Sequence, residues 1–221
     1  MTTAGWVFPP ADTADEHGVV GVGADLEPET MLTAYASGLF PMPIEAEGPV
    51  VWWSPDPRAV IPLGELHTSR SLYRSMRSFH FTVDTDFEQV MRRCADPERP
   101  NGWIDQQMIG AYVRLHHLGW AHSIETRNSD GDLVGGVYGV AVGGMFAGES
   151  MFHTETDASK AALVHLVTLL RDSGFELFDV QWLTPHLSTL GAIEIDRADY
   201  LRRLTSAIDV GHFPEFLKDH A

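Results

Sequence analysis

Residues 146–200 read FAGESMFHTETDASKAALVHLVTLLRDSGFELFDVQWLTPHLSTLGAIEIDRADY, and three unlike elements stand there in one order. A strand runs to a carboxylate at Glu149, a helix opens at Asp157 and continues through Leu170 toward Gly174, and a second strand carries Asp179 and Gln181. Side chains two apart on a strand share a face, so Asp179 and Gln181 are expected to point together into one cavity. A purely structural use, capping or pairing within the core, is the competing reading of both.

Upstream of that stretch, the alternating AHSIETR, the turn NSDGD and the run LVGGVYGVAVG predict antiparallel strands leading into MFAGES. Asp105 opens a helix whose apolar positions Met108, Ile109, Tyr112 and Leu115 repeat at helical spacing, with Gly119 as its stop. Thr85 and Glu88 form a capping-box pattern at the start of another helix, after the strand FHFTV. Nearer the N-terminus, Pro28 fits a first helical turn, Met31, Leu32 and Tyr35 form its apolar stripe, and Gly38 fits its end. Val50 to Trp53 reads as a strand, and a final helix follows Asp196. Strands meeting at hairpins, then helix, strand and helix, indicate an α+β domain with a mixed sheet. The turn-rich SPDPR places a boundary near Pro57, giving a small N-terminal domain over 1–57 and a catalytic domain over 58–221.

The chain has 221 residues and a formal net charge of -16, from 15 basic and 31 acidic side chains. Spread evenly, that charge repels nucleic acid, so any RNA partner must meet a local basic patch. One candidate is present: Arg70, Arg74 and Arg77 recur at i, i+4 and i+7, on one helix face, and no Asp or Glu occurs between Leu66 and Thr82. A solvated face is the plainer reading. Cys94 is the single cysteine, which excludes an internal disulfide, and its place at a predicted helix end favours a structural role. Eleven histidines include the cluster His116, His117 and His122, but without cysteine support or zinc spacing no metal is expected. No apolar run reaches the roughly 18 residues that span a bilayer, and the N-terminus lacks the plan of a signal peptide. A soluble, cytoplasmic protein is expected.

The segments GLFPM, WWSPDPRAV, NGWI, HSIE, GGVYGVAVGGMFAGESMF, ASKAAL, FDVQ, HLSTLGA and RADYL occur in the order seen in leucyl/phenylalanyl-tRNA–protein transferases. The chain resembles that family from about Gly18 to Leu204. The resemblance implies a GNAT-like fold, related to acyl-CoA N-acyltransferases, for the larger domain. It also implies transfer of Leu or Phe, with Met a possible further donor, from aminoacyl-tRNA to proteins beginning with Arg or Lys. The product is an N-degron that commits the protein to degradation. The donor is an activated ester, so no metal or cofactor is required, only orientation and management of a proton. A monomer is expected.

By the same resemblance, Asp179 and Gln181 are the paired acid and amide of the reacting centre, and Glu149 binds the aminoacyl-adenosine or the acceptor. Met151, Leu163, Leu166 and Phe178, with Phe146, are expected around the donor side chain, although such residues are more often plain core. Trp103 is expected to stack on the terminal adenine, an interaction worth about 1 to 3 kcal/mol. Arg70, Arg74 and Arg77 are expected to meet the acceptor stem. Three departures stand out: Met42 where the family commonly has Trp, Trp-Leu-Thr-Pro between Gln181 and His186, and GVVGVGADL at 18–26. Two rival functions fit the same fold class. An acyl-CoA-dependent N-acetyltransferase needs a glycine-rich pyrophosphate loop, yet ESMFHTET before Asp157 has no glycine and carries acidic charge. A non-catalytic binder of tRNA ends or N-terminal peptides is the other.

Overall fold

The computed structural model describes residues 6–44, 48–96 and 102–209. Asn101 of the NGWI segment and residues 1–5 of the N-terminal stretch lie outside the described residues.

Most of the chain is organised on one seven-stranded sheet. Its strands are β4 (Arg58–Val60), β5 (His80–Val83), β6 (Ala121–Arg127), β7 (Leu133–Val142), β8 (Met145–His153), β9 (Leu177–Gln181) and β10 (Ile193–Ile195). They lie in the order β10-β4-β9-β8-β7-β6-β5. Among these strands only the β8–β9 pair is parallel. A parallel pair needs a crossover, which α5 (Ala158–Asp172) supplies. The mixed α+β class expected from the sequence is therefore present. Every residue of β7 is buried, because helices cover both faces of the sheet at its centre. On one side, α5 packs with α2 (Arg70–Met76) over Val137, Ala141 and Phe146. On the other, α1 (Pro28–Ala36), α3 (Phe87–Cys94), α4 (Gln106–His117) and α7 (Arg197–Ile208) pack over Tyr138, Val140 and Met145, and a short α6 (Pro185–Ser188) lies between β9 and β10.

The N-terminal part adds a three-stranded antiparallel sheet of β1 (Val19–Val22), β3 (Val51–Trp53) and β2 (Phe40–Pro41), in that order. Gly38 makes the turn from α1 into β2 at φ 82°, and a Cβ there would fall 2.6 Å from Leu201 of α7. Only glycine suits both demands.

Several helix ends differ from their sequence signals. Asp105 caps α4 as expected, accepting from the Met108 amide at 2.8 Å. Thr85 forms no capping box: its hydroxyl donates to the buried Glu125 carboxylate at 2.8 Å, while Glu88 pairs with Arg92. A buried carboxylate needs donors more than an exposed helix end does. Asp157 precedes α5 in a left-handed conformation, φ 70°, and its side chain accepts from Ser75 of α2 rather than capping its own helix. The strand carrying Glu149 also does not end there; it continues to His153.

Candidate active site

The β8–β9 register runs through Met145–Leu177, Phe146–Phe178 and Ala147–Asp179 and then stops. Both strands deviate just beyond that point. On β8 the antiparallel register with β7 shifts so that Tyr138 faces Ser150 and Gly139 faces Gly148, leaving Glu149 as the extra residue of a bulge. A bulge re-aims the side chain and reverses the alternation that follows it. On β9, the pairing with β4 shifts so that Val60 faces Asp179 and Ala59 faces Gln181, leaving Val180 as an extra residue, and Gln181 adopts φ 65° at the last position of the strand. A cavity of about 190 Å³ occupies the split, walled by Gly148, Glu149, Ser150 and Met151 from one strand, and by Phe178, Val180 and Gln181 from the other with Trp182 just beyond its end.

Glu149 sits at the meeting of four elements. Its Oε1 accepts from the Tyr35 hydroxyl at 2.8 Å and from Gln181 Nε2 at 3.0 Å, and its Oε2 accepts from the Tyr112 hydroxyl at 2.9 Å. A carboxylate only accepts, so the Gln181 amide must present its nitrogen here and keep its oxygen for another partner. Burial raises the Glu149 pKa and the nearby Asp179 adds to this; the three donors pull the other way, and the group is pushed up to about 7. Burial also holds both phenols well above their ordinary value.

Asp179 is placed differently from the expectation that it faces one cavity with Gln181. The Arg58 guanidinium grips it from β4, with Nε to Oδ1 at 2.9 Å and an Nη2 to Oδ2 at 2.6 Å, and both residues are 1% exposed. Tyr200 donates to Oδ2 at 2.9 Å, and the Gln181 backbone amide donates to Oδ1 at 2.9 Å. Burial lowers the Arg58 pKa, but the charge and hydrogen bond of Asp179, with Tyr200 and Glu149, together outweigh it and keep the guanidinium protonated. Of the two, Gln181 lines the cavity and Asp179 lies behind it, its oxygens committed to protein donors. The local reason is the extra residue at Val180 with the left-handed backbone at Gln181, which together break the two-residue alternation.

Met151, Leu163 and Phe178 line the cavity, and so do Met42 and Trp103. Phe146 and Leu166 do not: both are 1% exposed in the core shared with α5, and Phe146 packs edge-on against Phe178 from behind. They back the wall and are not part of it. The wall also contains Phe40, Val137, Trp182 and Leu187, which the sequence reading did not single out. Trp182 meets Phe40 at 4.9 Å and Trp53 at 5.7 Å, both edge-on, and Trp53 donates to the Met42 carbonyl. So the rim at Met42, where the resemblance implies a Trp, retains aromatic faces. Tyr35, Tyr112, Arg58 and Tyr200 were also missed as site residues. A usable signal existed for the tyrosines, since a phenol in an apolar helical stripe must find a partner for its hydroxyl.

Arg70, Arg74 and Arg77 are all exposed on α2 and its C-terminal cap, and none forms an ion pair with a carboxylate among the described residues. His122 bridges Asp84 and the Gly119 carbonyl, whereas His116 stacks on Phe87 at 4.3 Å. No group of three His, Cys, Asp or Glu able to hold a metal occurs among the described residues. Cys94 is buried at the end of α3. No described helix is long and apolar enough to cross a membrane.

Residues 60–205 match the family model described as leucyl/phenylalanyl-tRNA protein transferase, and residues 24–56 match the model of that family's N-terminal domain. The chain belongs to this family. Leucyl/phenylalanyl-tRNA–protein transferases from Anaeromyxobacter sp. (strain K) and Thiobacillus denitrificans are 50% and 48% identical to it, over 91% and 94% of this chain and 88% and 92% of theirs. The transferase from Syntrophobacter fumaroxidans is 49% identical over 91% of this chain and 88% of its own. Among solved structures, the chain is similar to L-PGS from Bacillus licheniformis, with 13% identity, 73% of this chain and 55% of that one covered, and a TM-score of 0.40. It is also similar to a GCN5-related N-acetyltransferase-like protein from Streptococcus suis, with 14% identity, coverage of 63% and 57%, and a TM-score of 0.36. The bulge, the split strands and the Arg58–Asp179 pair are thus features of a leucyl/phenylalanyl-tRNA protein transferase family member.

Proposed function

We propose that this chain transfers a leucyl or phenylalanyl group from tRNA to the α-amino group of proteins that begin with Arg or Lys, marking them for degradation. The observation that carries this reading is half identity to transferases across nine-tenths of the chain. The cavity geometry fits it. Val137, Met151, Leu163, Phe178 and Leu187 form an apolar wall for an unbranched-β side chain, and the polar end presents one carboxylate and one amide. Trp103, with Phe40 and Trp182 beside Met42, offers flat faces for the terminal adenosine. Met, being unbranched at Cβ, fits the same wall as a minor donor.

Gln181 and Glu149 contact the reacting groups in this reading. With its nitrogen committed to Glu149, the Gln181 amide has its oxygen available to accept from the attacking amine, holding it against the ester carbonyl. Asp179 acts as a positioning residue: it fixes the left-handed Gln181 backbone while Arg58 neutralises its charge. The arginines of α2 take phosphates of the acceptor stem, which positions the tRNA without reading its sequence. The reaction needs no cofactor, places the protein in the cytoplasm with its tRNA, and uses a single copy of the chain. A division near Pro57 into 1–57 and 58–221 is supported by the chain leaving the three-stranded sheet at Trp53 and entering the seven-stranded one at Arg58.

An acyl-CoA donor fits poorly. The N-terminus of α5, where a pyrophosphate would have to sit, carries Glu155 and Asp157, and Gly135 lies so close that a Cβ on it would be 2.6 Å from Ala158. The test is transfer of labelled Leu or Phe from tRNA to matched peptides beginning with Arg, Lys or Ala, and to the Arg peptide with its amine acetylated. Labelling of the Arg and Lys peptides alone is expected; equal labelling of the Ala peptide, or labelling driven by acyl-CoA, contradicts the reading.

A further inference from the structure

The hydrogen bonds among Tyr35, Tyr112 and Glu149 close a ring. The two phenol oxygens are 2.6 Å apart, and each also meets a different oxygen of the same carboxylate, at 2.8 and 2.9 Å. Each side of the ring needs one proton, and each phenol carries one. With Glu149 ionised, two protons serve three sides. If both phenols donate to the carboxylate, the shortest side is left with two facing lone pairs. One further proton resolves this. Glu149 Oε2 then donates to Tyr112, Tyr112 to Tyr35, and Tyr35 back to Oε1, in a single sense around the ring. The Gln181 amide already donates to Oε1, which leaves Oε2 as the place for the added proton.

We propose that Glu149, Tyr35 and Tyr112 form one proton-accepting unit that deprotonates the acceptor's α-ammonium group. This deepens the transferase reading and rests on it. Tyr35 and Tyr112 are 1% and 0% exposed, so exchange with substrate passes through Glu149, which lines the cavity. The ammonium gives one proton to the Glu149 carboxylate and becomes an amine. Its nitrogen lone pair attacks the ester carbonyl carbon, the C–N bond forms, and the bond from that carbon to the tRNA ribose oxygen breaks. A second nitrogen-bound proton goes to the departing ribose oxygen, and the proton held on the ring leaves to water after release. One proton is released per turnover.

The groups facing the ring are Tyr35 from α1, Tyr112 from α4, Tyr138 from β7, and Asp179 from β9, the last paired with Arg58 from β4. Burial, with Asp179, pushes Glu149 up to about 7, against the pull of its three hydrogen-bond donors. Transfer should therefore fall as pH drops through that value and the ring fills in advance of substrate. Removing either phenol hydroxyl takes a donor from the ionised form, so the midpoint should move upward.

The test combines two titrations of the full chain. Infrared difference spectra follow the protonated carboxyl band that Glu149→Gln removes, and transfer to the Arg peptide is measured over the same pH range. Band and acid limb should share a near-neutral midpoint in the wild type, and both should rise by about one pH unit in Tyr35→Phe and Tyr112→Phe. Transfer by Glu149→Gln should fall on the order of 100-fold or more with tRNA binding retained. An acid limb unmoved in both phenylalanine variants, or Glu149→Gln within roughly threefold of wild type, overturns the proposal. So does a wild-type band that titrates in the ordinary carboxylate range, a readout independent of whether any phenylalanine variant folds. Absence of transfer by wild type from every aminoacyl-tRNA would instead remove the transferase reading, and the band would still judge the ring.

Discussion

Arg58 and Asp179 stand behind the cavity that Gln181 lines. Their bidentate pairing is almost completely enclosed, and removing one partner leaves an uncompensated buried charge. Asp179→Ala should therefore lose about 3 to 5 kcal/mol of stability together with activity. Gln181→Ala removes a cavity-lining amide and one of the three donors to Glu149, and should lose transfer while denaturant unfolding changes by only about 1 to 2 kcal/mol. Equal loss of stability in both would contradict the split of roles. Glu149 gives a second contrast at this scale. Its pKa is raised in the fold, so between about 4.5 and about 7 the native state holds a proton that the unfolded chain has released. Stability should fall as pH rises through that window and level off above it. Urea unfolding at pH 5 and pH 8 should show that loss in wild type and not in Glu149→Gln. Glu149 and Trp103 were expected at the site from the family resemblance and Gln181 also from its place on a strand, and all three line the cavity. Arg58 was not expected: it is 121 residues from Asp179 in sequence, and nothing local marks it as buried.

At the scale of elements, the bulge in β8 decides where Glu149 points. The pattern of strand lengths and apolar runs predicts β6, β7, β8 and β9, yet a bulge leaves no periodic signature when the strand is flanked by glycines that have no side chain to misplace. Gly139 sits opposite it, and a Cβ there would meet the Ala147 carbonyl oxygen at 2.2 Å and the Phe146 ring at 2.4 Å. Gly139→Ala should force the register to shift, with about 1 to 3 kcal/mol of lost stability by thermal unfolding and a larger proportional loss of transfer. The helix signals at Thr85 and Asp157 misled for one reason: each side chain had a tertiary partner, Glu125 or Ser75, stronger than its own helix end. On α2 the helical spacing was informative, and the three arginines are exposed together. Replacing all three by Ala should weaken tRNA binding and flatten its salt dependence, by roughly 0.9 in log–log slope for each phosphate the variant no longer neutralises. Transfer from a short aminoacyl-nucleoside donor should be unchanged. A salt slope that stays the same would place the tRNA elsewhere.

Across the whole molecule, one cavity draws on parts that lie far apart in the chain. The N-terminal region contributes Phe40, Pro41 and Met42 to the rim, α1 and α4 contribute the phenols behind Glu149, and the two parting strands contribute the floor. The class of fold and the order of its larger elements could be read from turns, caps and periodicity. The short strands β2, β4 and β10 could not: they lack the β-branched and aromatic run that marks the equally short β3, and their existence depends on neighbours supplied from elsewhere. The convergence of so many elements on Glu149 and Gln181 makes transfer at that point the central claim. Single-turnover transfer of Phe from its tRNA to an Arg peptide, by wild type and by Gln181→Ala with tRNA binding measured alongside, tests it most directly. We predict product with wild type and a loss on the order of 100-fold in the variant, with tRNA affinity held within about threefold. Folded wild-type protein that binds tRNA but forms no product, or a variant that transfers as fast as wild type, would contradict it.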